Sequence, residues 1–371
     1  MRILYVTTIS LTMNTFFKPH IKMLVEEGHQ VDIACNDDGL PLDKLYSELG
    51  CVFHRVDFSR SPLSADNVRA YGQLKGIVAA GSYDIVHCHT PNAAVITRLV
   101  CRSFRKKAGL KAFYTAHGFH FYKGAPLLNW LVFYPVEKLC SRFTDKLITI
   151  NKEDYVLARD KFHAGEVRHV PGVGIDLSRF ENIRVDREAK RREIGVPEDA
   201  FLLLSVGELN KNKNNQVIIR ALAKLGDRNV HYAIAGVGDM KDELLRLANE
   251  LGVADQVHLL GYRRDIPELN GSADVFCFPS RREGLGVAAI EALACGLPIV
   301  AARNRGTVEF IEPNKNGFLC PDHDAASFAH AISNLISDDT MKNRNAREAF
   351  TEVCRFRVDD VVEVMKGIYE G

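Results

Sequence analysis

Short apolar runs alternate with stretches of helical periodicity along the whole chain. In the first half the apolar runs predict strands at Ile3–Thr7, Val31–Cys35, Cys51–Val56, Ile85–His89, Lys111–Thr115 and Lys146–Ile150. The stretches between them predict helices near Thr15–Glu27, Ala65–Ala80, Ala93–Lys107 and Leu127–Phe143. This alternation is typical of βαβ units, which build parallel sheets. We therefore predict an α/β fold with an open, doubly wound sheet in this half.

The second half repeats the alternation after a break near Val170–Asp176, where a proline and two glycines predict a hinge-like linker. Its predicted strands are Phe201–Val206, His231–Ala235, Val257–Leu260, Asp274–Phe278 and Ile299–Ala302. A length of 371 residues exceeds the size at which single cores stop growing. We predict two Rossmann-like domains, covering residues 1–175 and 176–355.

Composition narrows the function classes. The net charge of +1 provides no overall field to recruit nucleic acid. No apolar run approaches the length of a membrane span, and the start of the chain predicts a strand rather than a signal peptide. The nine cysteines are scattered without a CxxC pair. We expect reduced thiols in a cytoplasmic protein.

Histidines cluster at the carboxyl ends of two strands in the first half, where doubly wound sheets bind ligands. His87 is expected to pack in the core, while His89 and His120 are candidates for holding loops together. His117 is the stronger functional candidate, because Gly118 beside it allows a ligand to approach. We expect His87 and His89 to point to opposite faces of their strand, and no spacing matches a metal-binding helix. The prediction is therefore no metal site.

The segment from Leu127 to Leu139 is unusually apolar and holds the only tryptophan. A basic cluster lies nearby in sequence, formed by Arg102, Arg105, Lys106, Lys107 and Lys111. Two interpretations stay open. One is a surface that binds an anionic bilayer, and the other is a core helix beside a solvated basic turn.

The second half carries groups suited to a phosphorylated ligand. The stretch Pro279–Pro298 predicts a strand end, a glycine turn and a helix, with Glu283 before the turn and Glu291 inside the helix. Backbone amides at a helix start bind anions. Lys211 and Lys213 follow another strand on the same rim, so the loops together could neutralise a diphosphate. The pair Gly236-x-Gly238 is a weak signal, since it lacks the third glycine of the dinucleotide fingerprint.

These segments carry a family likeness that covers nearly the whole chain. Glu283-Gly-Leu-Gly-Val-Ala-Ala-Ile-Glu291 resembles the EX7E signature of retaining GT-B glycosyltransferases of family 4. The stretches Gly207–Lys213, Gly261–Asp265 and Pro279–Pro298 resemble that family's donor domain in order and spacing. Thr115–Phe121 resembles a bacterial exopolysaccharide and capsule branch. The resemblance implies two Rossmann-like domains facing across a cleft, with residues 356–371 forming a helix that crosses back to the first domain.

The resemblance also implies site roles. Glu283, Lys213 and His117 would be catalytic: Glu283 lies by the donor sugar, Lys213 stabilises the departing diphosphate, and His117 contacts the sugar and the reacting centre. Donor-binding positions would be Gly207, Lys211, Tyr262, Arg263, Gly284, Leu285, Gly286, Val287 and Glu291, with Glu291 on the ribose. The family usually has an arginine where Glu208 stands, which leaves the role of Lys211 open.

The expected function is retaining transfer of a hexose or N-acetylhexosamine in bacterial surface polysaccharide synthesis. The donor would be a nucleotide-sugar, expected to be UDP-linked, with no metal or other cofactor. The acceptor would be a glycan or a lipid-linked undecaprenyl diphosphate sugar. We expect a cytoplasmic protein with a peripheral contact on the inner face of the cell membrane. A nucleotide-sugar epimerase and a non-catalytic nucleotide-sugar sensor are the alternatives. The sequence does not identify the sugar, base, acceptor, linkage or oligomeric state.

Overall fold

A computed structural model describes residues 1–180, 183–338 and 351–371, apart from the side chains of residues 106–108. The chain divides into two compact units. Unit 1 comprises Met1–Gly174 and Val358–Gly371, and unit 2 comprises Ile175–Arg357. Each unit is an α/β layer structure around a parallel sheet, as the alternating pattern predicted.

Unit 1 is built on a parallel sheet of seven strands, ordered β3-β2-β1-β4-β5-β6-β7. The strands are β1 (Arg2–Ile9), β2 (Gln30–Asn36), β3 (Val52–Arg55), β4 (Ile85–His89), β5 (Lys111–Ala116), β6 (Lys146–Thr149) and β7 (Glu166–His169). The helices are α1 (Ser10–Phe16), α2 (Lys18–Glu26), α3 (Lys44–Glu48), α4 (Asp66–Gly81), α5 (Pro91–Ala108), α6 (Leu127–Ser141), α7 (Lys152–Lys161) and, at the chain end, α14 (Val358–Glu370). Strands β1 and β4 are neighbours, with Tyr5 paired to His87. The strand order reverses between these two strands.

Unit 2 is built on a parallel sheet of six strands, ordered β10-β9-β8-β11-β12-β13. The strands are β8 (Phe201–Val206), β9 (Val230–Ala235), β10 (Val257–Gly261), β11 (Val275–Phe278), β12 (Ile299–Ala302) and β13 (Gly317–Cys320). The α-helices are α8 (Arg187–Glu193), α9 (Gln216–Leu225), α10 (Lys241–Glu250), α11 (Ile266–Ser272), α12 (Val287–Ala294) and α13 (Ala325–Ser337). Short 3₁₀ turns occupy Leu177–Phe180, Ala254–Gln256, Thr307–Glu309 and Cys354–Phe356.

The first predicted helix is wrong in its extent. The sequence pattern suggested one helix over Thr15–Glu27, whereas the structure has two, α1 and α2, that meet at Phe17. Pro19 lies in the first turn of α2. A proline cannot donate the backbone hydrogen bond that a continuous helix needs, but it fits a helix start.

Helix α14 packs within unit 1, far in sequence from the rest of that unit. The Lys146 ammonium donates a hydrogen bond to the carbonyl of Ile368 (2.6 Å), and the Tyr369 hydroxyl bonds to His87 Nδ1. Gly174, at φ +83°, lies so close to this segment that an added Cβ would fall 2.8 Å from Val358 Cα. The chain end is therefore part of the core beneath the histidine cluster.

Candidate active site

The candidate residues of unit 2 lie where its strand order reverses. Strands β8 and β11 are neighbours, while the chain runs outward from β8 to one edge and from β11 to the other. The loops after β8 and β11 therefore diverge and leave a crevice at the carboxyl ends of the strands, which is where open α/β sheets bind ligands. Lys213 follows β8 and Glu283 follows β11.

Lys213 and Glu283 form an ion pair in this crevice. The Nζ–Oε1 distance is 2.8 Å, and both side chains are mostly shielded from solvent. The Lys213 ammonium also lies 5.1 Å from the centroid of the Phe278 ring. Gly207 makes room for this lysine, because a Cβ there would fall 3.1 Å from Lys213 Cε. The structure thus brings together three residues that the sequence analysis selected from two different loops.

Asparagines of the β8 loop hold the pair in place. Asn210 Oδ1 accepts a hydrogen bond from the backbone N–H of Lys213 (3.0 Å). Asn212 donates to the carbonyl of Arg282 (2.9 Å), and Asn214 donates to the carbonyl of Pro279 (3.2 Å). These amides tie the β8 loop to the β11 loop, so the lysine and the glutamate are positioned by one network.

The amino end of α12 adjoins the ion pair. Gly286 is the N-cap residue of this helix and has φ +112°, a backbone conformation that residues other than glycine rarely adopt. A Cβ at Gly286 would also fall 2.9 Å from the Phe278 ring. The first backbone N–H groups of α12, starting at Val287, have no partner within the helix and carry the positive end of its dipole. Gly284 and buried Leu285 connect this helix start to Glu283.

Glu291 lies one turn inside α12 and is half-buried. Burial raises the pKa of its carboxyl group to about 7, and the positive charge of Arg179 offsets part of that rise. A carboxyl group with this pKa loses its proton near neutral pH. It can therefore accept hydrogen bonds from a ligand's hydroxyl groups as the pH rises through that value.

Two residues at this site were not predicted from the sequence. Arg305, which is buried, donates from Nε to the carbonyl of Glu283 (3.4 Å). A Cβ on Gly306 would fall 2.6 Å from the carbonyl oxygen of Leu285 and 3.0 Å from Glu283 Cβ. Both residues follow β12, the strand beside β11. Their position after an adjacent parallel strand was the signal that could have identified them.

The remaining residues predicted to bind the sugar donor differ in exposure and in hydrogen bonding. Lys211 is exposed, and Glu208 accepts a hydrogen bond from Asn210 Nδ2 (3.0 Å). Tyr262 is exposed after β10. The guanidinium group of Arg263 bonds to Asp265 and Glu193, and these partners raise its pKa further. Its backbone, rather than its side chain, is therefore what Arg263 offers a ligand.

The weak glycine motif has a packing role. A Cβ on Gly236 would fall 1.8 Å from the carbonyl oxygen of Gly207, and one on Gly238 would fall 2.3 Å from that of Leu209. The β9 loop therefore packs directly on the backbone of the β8 loop. Glycine at these positions lets the lysine loop keep its shape.

In unit 1, His117 belongs to a histidine cluster at the ends of β4 and β5. His117 Nε2 lies 3.2 Å from His89 Nδ1, and the His87 ring lies 4.2 Å from the His89 ring. The expectation that His87 and His89 point to opposite faces is wrong, because alternation along a strand returns residues two apart to the same face. His87 is fully buried, as predicted.

One unpaired ring nitrogen in this cluster indicates which nitrogens of His89 and His117 carry the protons. Among the described residues, His89 Nε2 is buried without a hydrogen-bond partner. A buried N–H without an acceptor is rarer in proteins than an unpaired acceptor, so the proton of His89 belongs on Nδ1. His89 then donates to His117 Nε2, which leaves the proton of His117 on Nδ1. Burial, with a smaller contribution from the neighbouring His20 imidazole, lowers the pKa of His117 to about 4, so at neutral pH its ring is an uncharged hydrogen-bond donor.

Metal ligation has no candidate in the described ranges, where no three His, Cys, Asp or Glu side chains are placed to hold an ion. Lys213, Glu283 and the start of α12 are instead arranged for an anionic ligand that also carries hydroxyl groups. His117 offers a neutral donor on a separate rim in unit 1.

Sequence families match both halves of the chain. Residues 186–352 match the model of "Glycosyl transferases group 1", and residues 2–151 match "Glycosyl transferase 4-like". The putative glycosyltransferase EpsD of Bacillus subtilis (strain 168) is 38% identical, over 100% of this chain and 96% of that protein. The UDP-Gal:alpha-D-GlcNAc-diphosphoundecaprenol alpha-1,3-galactosyltransferase of Escherichia coli is 24% identical, over 94% of this chain and 90% of that protein.

Solved structures agree on the fold. Anabaena HepE in complex with UDP-glucose superposes with a TM-score of 0.80 at 20% identity, covering 100% of this chain and 99% of that one. WaaG, a glycosyltransferase involved in lipopolysaccharide biosynthesis, gives 0.76 at 18% identity and 100% coverage of both chains. Together with the relative that is 38% identical over nearly its full length, these matches establish that the chain is a GT-B glycosyltransferase of the group 1 and 4-like families.

Proposed function

We propose that this glycosyltransferase moves a hexose or N-acetylhexosamine from a UDP-sugar to a lipid-linked or glycan acceptor, with retention of configuration at the anomeric carbon. The observation that carries the proposal is the Lys213–Glu283 pair (2.8 Å) beside the open start of α12. A nucleotide-sugar presents a diphosphate and a hydroxylated sugar ring. This arrangement offers a cation and a carboxylate 2.8 Å apart and, four residues after the carboxylate, the backbone amides of a helix start.

The chemistry follows from these groups. The bond between the anomeric carbon and the diphosphate oxygen breaks, and the acceptor oxygen bonds to the anomeric carbon from the same face. Negative charge grows on the departing UDP, where Lys213 and the amides of α12 stabilise it. The acceptor hydroxyl gives up its proton as its oxygen bonds, and the departing phosphate oxygen is the base that receives it. Glu283 accepts hydrogen bonds from sugar hydroxyls, and Glu291 does the same for the ribose.

From the family resemblance, we also propose that His117 contacts the donor sugar. Its Nδ1–H donates a hydrogen bond to a sugar hydroxyl, and its low pKa keeps the ring uncharged as positive charge develops on the anomeric carbon. A charged imidazolium beside that carbon would oppose the reaction electrostatically.

The donor and acceptor classes draw support from the relatives. HepE binds UDP-glucose in the crystal, and the Escherichia coli relative is named for a UDP-sugar donor and a diphosphoundecaprenol acceptor. WaaG is involved in lipopolysaccharide biosynthesis. We propose a corresponding step in bacterial surface polysaccharide synthesis, with no metal or cofactor participating.

The test compares two lysines of one loop. Thermal stabilisation by a panel of nucleotide-sugars identifies the donor, and UDP release is then measured for wild type, Lys213→Ala and Lys211→Ala. We expect Lys213→Ala to lower kcat by about 10² to 10³, the range seen when one group stabilising the transition state is removed. Lys211 is exposed to solvent, so Lys211→Ala should change kcat far less. Equal kcat for wild type and Lys213→Ala would refute the assignment, and a donor that is epimerised without release of UDP would refute transfer itself.

A further inference from the structure

Helix α6 presents an apolar face to solvent. Leu127, Leu128 and Leu131 are 72%, 68% and 66% exposed, and Leu139 is 52% exposed. Val132, Pro135 and Val136 complete the face. These seven residues form the leucine face. Scattered exposed apolar residues need no explanation, but a contiguous apolar face on one helix marks an interaction surface.

The opposite side of α6 packs against the rest of unit 1. Trp130, Phe133 and Tyr134 pack against the core of unit 1. Asn129 donates to the carbonyl of His120 (2.8 Å), and Trp130 donates to that of Tyr122 (3.3 Å). The core interpretation from the sequence is therefore right for the tryptophan, whereas the leucines point outward. The same helix holds the loop that carries His117.

The charge around α6 is strongly asymmetric. Residues 98–146 contain ten lysines and arginines and two acids, a net charge of +8 in a chain whose total is +1. Both acids are already paired, Glu137 with Arg98 and Asp145 with Arg105. Arg102, Lys111, Lys123 and Arg142 are exposed. The side chains of Lys106 and Lys107, counted in the predicted basic cluster, lie outside the described residues.

From these features we propose that α6 docks unit 1 on an anionic phospholipid bilayer, with the leucine face in the interfacial layer and the surrounding cations on the lipid headgroups. A leucine face beside cationic side chains is the composition of helices that lie in a membrane interface. A second copy of the chain is a poor occupant, because two segments of net charge +8 would repel each other. No described helix is long and apolar enough to span a bilayer.

The proposal rests on the proposed function in one respect, since a lipid-linked acceptor gives membrane docking its purpose. Docking α6 would bring the His117 loop to the membrane surface, where the head of such an acceptor lies. The docking itself is measured without any acceptor, so the two proposals can fail separately.

The experiment is co-sedimentation of the full chain with sucrose-loaded vesicles of phosphatidylglycerol and phosphatidylcholine. Wild type should bind vesicles containing phosphatidylglycerol, and binding should fall as NaCl is raised. Leu128→Glu/Leu131→Glu should lower the partition coefficient at least tenfold, or about 1.4 kcal/mol. Lys123→Gln/Arg142→Gln should also lower it about tenfold, because each cation near an anionic surface contributes several-fold.

Leu63→Glu/Val68→Glu is the matched control, because Leu63 and Val68 are 94% and 77% exposed elsewhere in unit 1. This control should bind vesicles like wild type, and all variants should keep the circular dichroism and the UDP-induced thermal shift of wild type. The proposal is overturned if wild type ignores anionic vesicles or if Leu128→Glu/Leu131→Glu binds them unchanged. It is also overturned if light scattering shows a dimer that only this double variant dissociates. Loss of the UDP-induced shift in wild type would instead refute the proposed function.

Discussion

Replacing Glu291 by glutamine should make the protein more stable and a worse binder of its donor. Burial raises the pKa of the Glu291 carboxyl group from its ordinary value of 4.5 to about 7. A carboxyl group with a raised folded-state pKa leaves stability intact below pH 4.5, and that stability is lost as the pH rises through 7. Glutamine has the same shape without the titration, so it avoids the loss.

The size of the effect follows from the two pKa values. One pKa unit corresponds to about 1.4 kcal/mol, so the raised pKa of Glu291 lowers the free energy of unfolding by about 1 kcal/mol at pH 5 and about 3 kcal/mol at pH 8. These are upper figures, because the half-buried carboxyl group keeps part of its hydration. For a unit of this size the change at pH 8 corresponds to a melting temperature roughly 5 to 10 °C higher for Glu291→Gln.

The assay is thermal unfolding by circular dichroism at pH 5 and pH 8, with UDP affinity measured by calorimetry at pH 8. The single tryptophan, Trp130, lies in unit 1, so its fluorescence should report little of the change in unit 2. Glu243→Gln, an exposed position on α10, is the control and should shift neither quantity appreciably. A Glu291→Gln protein that is less stable at pH 8, or equally stabilised at both pH values, would refute the reasoning.

Substitutions at two further residues test the positioning of the catalytic candidates. His89→Asn keeps a donor near the position of Nδ1 and should retain most of kcat, whereas His89→Gln should lose up to about tenfold as one hydrogen bond to His117 disappears; unchanged imidazole ¹⁵N shifts of His117 in the glutamine variant would contradict the tautomer assignment. Gly306→Ala should lower kcat more than tenfold, because its Cβ would press on Leu285 and Glu283 while its φ of −79° tolerates alanine. Gly72→Ala, which has open space around it, is the control, and equal kcat in both alanine variants would show that Gly306 does not set the place of Glu283.

The sequence predicted the parts of the fold that depend on local pattern. Strands β4, β8 and β12 appear with their predicted bounds, because each is a buried apolar run with clear ends. Strands β7 and β13 were missed. Each has only four residues. Strand β7 is Glu-Val-Arg-His with no buried residue, and strand β13 is Gly-Phe-Leu-Cys with only its two end residues buried. Runs this short do not stand out from loops in the sequence pattern.

Residues of the candidate site could be predicted when a motif or a turn marked them in the sequence. Glu283, Gly286 and Lys213 stand in loops that glycines and charges mark in the sequence, and the structure joins Lys213 to Glu283. Arg305 and Gly306 have no such mark, and they reach Glu283 only because β12 lies beside β11. The outward direction of the α6 leucines was equally hidden, since it depends on which side of the helix the core of unit 1 covers.

The central claim is that a UDP-sugar is cleaved at the Lys213–Glu283 crevice and the sugar is transferred with retention. It is tested most directly by ¹H NMR of the product formed from the α-linked donor with methanol as the acceptor, since a methyl glycoside cannot change its anomeric form in solution. Wild type should yield UDP and the methyl α-glycoside, and Lys213→Ala should yield neither at a comparable rate. A methyl β-glycoside from wild type would contradict the account.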